Sequence, residues 1–151
     1  MLKSLLIAAM AVLPGTIAYS QSTRVVLVTE EEAKRPDLPK SELTFRAGVS
    51  RGPAISLVSP ESAEKSLPHP FRLQLKFEGR GGAQIDADSL KITYLKKPPV
   101  DLTDRVKPFV KPVGLDILET EIPAGAHVIR VEIKDKDGRA GSAIFNLNVT
   151  N

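Results

Sequence analysis

Cysteine and tryptophan are both missing from these 151 residues, there are two histidines, and aromatic residues make up only 5%. Without cysteine there is no disulfide framework, no cysteine zinc site and no thiol chemistry. His69 and His127 leave little for a histidine metal site or for imidazole catalysis. An excess of one charge is missing too. With 21 basic and 18 acidic residues the formal charge is +3, too small and too evenly spread for a nucleic-acid footprint. The length supports one domain with a core of ordinary size.

What is present begins with an address. Lys3 supplies a positive start, and Leu5 to Leu13 is an uncharged apolar run of nine residues. Pro14-Gly15 breaks any helix there. Ala18-Tyr19-Ser20 then places small residues where a signal peptidase reads them. A bilayer-spanning helix needs roughly 20 apolar residues, about twice this run. Residues 1–20 therefore read as a cleaved signal, cut after Ser20, which predicts a periplasmic or secreted protein with no integral membrane segment. No cysteine follows the run, which excludes a lipid anchor. Asn148-Val149-Thr150 matches a glycosylation pattern but reads as chance in a bacterial protein.

The mature chain divides in two. Arg24 to Thr29 is able to form one short strand, and Glu30 to Lys40 is charged and carries two prolines. Such a composition buries too little apolar surface to offset its ordering entropy, so residues 21–52 are expected to be a flexible lead. From about residue 53 period-2 alternation takes over. Phe71, Leu73, Leu75 and Phe77 alternate with Arg72, Gln74 and Lys76. Ile55-Ser56-Leu57, Leu90 to Tyr94, Ile129 to Ile133 and Ala143 to Val149 repeat the pattern. Strands with one apolar face need a second layer over them, and sheet on sheet is the stable arrangement. Turn signals at Ser59-Pro60, Arg80-Gly81-Gly82, Pro98-Pro99 and Asp137-Gly138 agree. The expectation is an all-β antiparallel sandwich of about seven strands over 53–151. The stretch Lys96 to Val113 has room for one short helical turn near 102–107, capped by Asp101 or Thr103.

Pro123, Gly125, His127, Asp135, Gly138, Arg139, Gly141, Ser142 and Phe145 stand where the last two strands of bacterial immunoglobulin-like domains carry their markers. Residues 55–60 and 71–77 resemble the opening strands of that family. The resemblance covers about residues 53–150 and implies an immunoglobulin-like β-sandwich. The cysteine pair and core tryptophan of antibody domains are absent, so the likeness is to the broader sandwich class. It implies adhesion or binding by analogy of fold.

Motifs able to carry chemistry are thin. Gly48-Val49-Ser50-Arg51-Gly52 matches Gly-x-Ser-x-Gly, yet Pro53 and a strand follow where that nucleophile needs a helix. The Asp86/Asp88 and Asp135/Asp137 pairs lack the further oxygens of a calcium loop and read as turn formers. His127 and His69 read as structural or exposed residues. No catalytic residue, metal or cofactor is expected. The best candidate is a basic, partly aromatic excursion: Tyr94, Lys96, Lys97, Arg105, Lys107, Phe109 and Lys111, with Asp101 and Asp104 the only acids among them. If it folds onto one face it suits an acidic protein or an anionic glycan of the cell envelope. The function expected is a monomeric, non-catalytic binding or structural module. Two alternatives are a small hydrolase or calcium-dependent enzyme using Ser50 or the Asp86 and Asp135 loops, and a strand-donating inhibitor or chaperone-like factor using Arg24 to Thr29.

Overall fold

The computed structural model describes residues 23–43, 50–61 and 65–151. The signal read from residues 1–20, with its cut at Ser20, lies outside them, as do Gly48 and Val49. The described chain opens with β1 (Arg24–Val26), α1 (Glu30–Ala33) and α2 (Lys40–Leu43). Then come β2 (Ala54–Ser59), β3 (Phe71–Glu78) and β4 (Ile85–Tyr94). The excursion carries β5 (Val100–Asp101), α3 (Thr103–Val106) and β6 (Val110–Lys111). The last strands are β7 (Gly114–Glu121), β8 (Gly125–Asp135) and β9 (Ala140–Val149).

These strands form two sheets. One runs β1-β7-β3-β2 with β6 also on β7, and the other runs β5-β4-β8-β9. β3 shows the cause most plainly, since Phe71, Leu73, Leu75 and Phe77 are buried while Arg72 and Lys76 are exposed. Leu73, Leu75, Leu115 and Ile117 of the first sheet meet Ile92, Ile129, Val131 and Leu147 of the second in one core. The chain is an all-β sandwich. Its ladders are antiparallel except where β1 runs parallel to β7. The helical turn is α3, and Asp101 serves its first amide, accepting from Thr103 N at 2.9 Å. At the β8–β9 hairpin Gly138 takes φ +82°, a conformation that a β-carbon resists.

Two features depart from expectation. β7, the strand between β1 and β3, has no clean alternation. A register shift in its pairing with β3 changes parity, so Ile117 and Thr120 both point inward while Leu118 is 68% exposed. Nor is the charged stretch after Arg24 loose. Leu27 and Val28 are fully buried, and Leu27 N donates to Glu121 O at 2.9 Å. The reason is a capping box: Glu32 N donates to Thr29 Oγ1 at 3.2 Å, and Thr29 N donates to Glu32 Oε2 at 2.9 Å. Residues 24–37 form an arm lying on the sandwich.

The burial contrast sets an expected result. Leu73→Ala should lower unfolding free energy by roughly 3 kcal/mol, and Leu118→Ala should change it by less than about 0.5 kcal/mol. Urea titrations with unchanged slope would check both.

Candidate functional site

Ser50 is not poised as a nucleophile. Its hydroxyl donates to Ala140 O at 2.9 Å and accepts from Gly52 N at 3.1 Å, tying the turn before β2 to the start of β9. Gly52 is required there because a β-carbon would lie 2.1 Å from Ala140 O. The Asp135 carboxylate is buried and accepts from Asp137 N, Arg139 N and Arg139 Nε at 2.8–3.0 Å. Burial works against its charge, but the bonds from Arg139 outweigh this and lower its pKa. Asp137 pairs with Arg139 at 2.7 Å, and Asp86 lies 3.8 Å from Lys136. These carboxylates fasten a hairpin. Among the described residues, no three His, Asp or Glu side chains are placed to hold a metal ion. His69 is exposed beside a shallow hollow of about 250 Å³ that Glu30 and Glu121 also line.

The structure does not gather the seven residues of the basic excursion into one patch. Tyr94 is fully buried and Lys96 is 6% exposed. Lys96 Nζ donates to Asp37 Oδ1 at 2.5 Å, reaching back to the arm. Arg105 Nη1 donates to Leu27 O at 2.7 Å and to Glu32 Oε2 at 2.8 Å, while Nη2 donates to Glu32 Oε1 at 2.6 Å. Lys107 pairs with Asp104 at 2.8 Å across an exposed turn, and Phe109 packs against the core. Lys97 and Lys111 remain exposed, with no carboxylate within 4 Å among the described residues. The physical reason is desolvation. A cation drawn below the surface needs a carboxylate, and the arm supplies Asp37 and Glu32.

A buried polar chain links these elements. His127, 3% exposed at the start of β8, has Nε2 at 2.7 Å from Pro123 O and Nδ1 at 2.8 Å from Tyr94 Oη. A carbonyl only accepts, so Nε2 carries the proton and Nδ1 accepts from the tyrosine hydroxyl. Lys96 Nζ in turn lies over the Tyr94 ring, 5.6 Å from its centroid. Burial raises the Tyr94 pKa, with Lys96 opposing. Burial also weighs against the Lys96 charge, but Asp37 and Tyr94 outweigh it and raise that pKa. Sequence reasoning took His127 as structural and missed its partners, which no local pattern announces. Glu32 had a signal in Thr29-x-x-Glu32 that its charged surroundings hid.

Other apolar surface is left open. Val26, Val58, Val113 and Leu118 are the large apolar side chains exposed among the described residues. All four belong to the five-stranded sheet or its β6–β7 turn. Val58 and Val113 flank a hollow of about 340 Å³ also lined by Lys76, Phe109, Lys111 and Asp116. Asp116 is held by Arg72 through two bonds of 2.7 and 2.9 Å. No described helix is long and apolar enough to cross a membrane.

No family model matches the chain, and no curated protein sequence matches it. Among solved structures, CopC from Methylosinus trichosporium OB3b is similar, with 17% identity and a TM-score of 0.42. The alignment covers 64% of this chain and 93% of the CopC chain.

The Glu32–Arg105 pair sets an acid limit. The Arg105 bonds lower the Glu32 pKa from 4.5 to about 2. A depressed carboxylate stabilises the fold above the unfolded value, and this contribution is lost as pH falls from 4.5 toward 2. Glu32→Gln is therefore expected to destabilise by about 2 kcal/mol near neutrality and to flatten the stability curve in that window. Thermal melts of both proteins across that pH range measure it.

Proposed function

We propose that the chain is an exported, non-catalytic binding module of a bacterial cell envelope. In this reading it engages an acidic protein surface through the outer face of its five-stranded sheet. One observation carries the reading: among the described residues the four exposed large apolar side chains fall on that sheet or on its β6–β7 turn, and the Val58–Val113 hollow has the unpaired Lys111 at its wall. Exposed apolar surface rimmed by charge is the usual mark of a protein contact. With Asp116 neutralised by Arg72, the uncompensated charge at the hollow is positive, which favours an acidic partner. The immunoglobulin-like resemblance and the signal-like residues 1–20 support the same reading.

The strand-donating alternative fits less well. Arg24 to Val26 already pairs with β7 of its own sheet and would have to leave it. The enzyme alternative loses its serine to a turn and its Asp135 to a hairpin.

Two measurements test the proposal. A reporter fused behind residues 1–22 is expected to be exported and cut after Ser20; a reporter retained in the cytoplasm sinks that part. Mature chain carrying Lys111→Glu and Val113→Asp should bind the envelope protein fraction at least about tenfold more weakly than wild type, a loss of about 1.4 kcal/mol. Lys97→Glu, a cation outside the hollow, should bind as wild type does. Equal capture by all three proteins, or capture by anionic polysaccharide in place of protein, overturns it.

A further inference from the structure

The chain from Asp37 through Lys96, Tyr94 and His127 to the Pro123 carbonyl has a direction. Lys96 donates to Asp37 and lies over the Tyr94 ring, Tyr94 donates to His127 Nδ1, and His127 Nε2 donates to Pro123 O. Every donor has an acceptor while His127 is neutral. A second proton on the ring puts an N–H on Nδ1, facing the tyrosine hydroxyl. That hydroxyl must then turn its own hydrogen away from the ring, and the Lys96 ammonium over Tyr94 has no acceptor to offer. Two cations, His127 and Lys96, then flank one buried tyrosine, and two cations so placed repel.

Asp37 is where this strain finds relief. Its side chain is 82% exposed, whereas that of Lys96 is 8% exposed. The 35–37 stretch rests on the 96–98 stretch through few bonds. Lys97 N donates to Pro36 O at 2.9 Å, Arg35 Nη1 donates to Pro98 O at 3.3 Å, and Asp37 forms a lone bridge with Lys96. Nearer the chain start the arm is held by buried Leu27 and Val28 and by the Glu32–Arg105 pair.

We propose that His127 is an acid-operated latch: when it takes up a proton, Lys96 leaves the Tyr94 ring and swings out with Asp37, and residues 35–37 lift from residues 96–98. The groups facing His127 are the Tyr94 hydroxyl from β4, the Lys96 ammonium just beyond β4 and the Pro123 carbonyl between β7 and β8. Asp37 acts from the arm through Lys96. Burial lowers the His127 pKa below 6.5; the Pro123 bond opposes this, Lys96 adds to it, and Asp37 opposes. Burial and the Pro123 bond are common to both states, whereas Lys96, which weighs more on the ring than Asp37, leaves on opening. The closed latch therefore binds fewer protons than the open one, and its advantage, full above the ordinary histidine value of about 6.5, is lost below it. Glu32 titrates only far below, so the first half of the arm stays docked while the second half lifts.

The experiment is residue-resolved amide exchange by NMR on the mature chain at about pH 7.5 and about pH 5, corrected for intrinsic rates. Protection of the Lys97 amide is expected to fall about tenfold at the lower pH, the equivalent of one pKa unit. Protection of core amides such as those of Leu73 and Val131 should hold. In His127→Gln, whose side chain is able to accept from Tyr94 and donate to Pro123 at every pH, the Lys97 amide should not respond. On wild-type protein alone, the Lys97 midpoint should coincide with the His127 ring titration. A Lys97 response that persists in His127→Gln, core amides lost in parallel, or midpoints more than about one unit apart each overturn the latch.

Discussion

A cation that leaves water has to be met by an acid, and in this chain the arm brings both acids that do so in the 96–107 excursion. Lys96 and Arg105 sit on either side of β5, at the edge of the four-stranded sheet, where β4 has just delivered Tyr94 to the core. Unpaired, each would carry a desolvation penalty of several kcal/mol. Asp37 and Glu32 remove that penalty only if residues 24–37 fold back over the sandwich. The arm in turn buries Leu27 and Val28 and gives β7 a partner along its outer edge. Charge pairing and apolar burial thus act on the same arm, the one at residues 32 and 37 and the other at residues 27 and 28.

That coupling explains what the sequence did and did not disclose. Strands whose faces differ in polarity are visible from within. Phe71 to Phe77 and Ile129 to Ile133 alternate cleanly because each has one side on the core and one in water. β7 is flanked by strands on both edges and bulged in the middle, so its apolar residues change parity and the period-2 signal vanishes. The arm looks flexible by composition because its glutamates and lysines are counted as solvated. Glu32 is in fact 12% exposed, and its partner lies 73 positions along the chain. Composition cannot see a partner at that distance.

The same limit governs the candidate site. Counting five cations against two acids between residues 96 and 111 treats the excursion as a closed account, whereas the compensating carboxylates come from residues 32 and 37. Two of the seven residues border one hollow. Lys111 stands in the wall of the Val58–Val113 hollow, and Phe109 lines it. Lys97 is also exposed, but at another place. Tyr94, Lys96 and Arg105 are structural, with Tyr94 buried outright, and Lys107 is on the surface but already paired with Asp104. A basic residue near an aromatic is therefore poor evidence for a ligand until the pairing of each charge is known.

The two clasps on the arm differ in kind, and the difference has a consequence for its motion. Arg105 makes three bonds in a planar fork to a largely buried carboxylate and a carbonyl, a geometry that resists both salt and mild acid. Lys96 is a single point charge whose carboxylate is 82% exposed, and its other neighbour is the Tyr94 ring, whose hydroxyl is bonded to a histidine. Anchoring strength along the arm is accordingly uneven, firm at residues 27–32 and conditional at residues 35–37. An element pinned at one end and conditionally held at the other opens as a flap over the 96–98 stretch, without exposing the Leu27 and Val28 sites in the core.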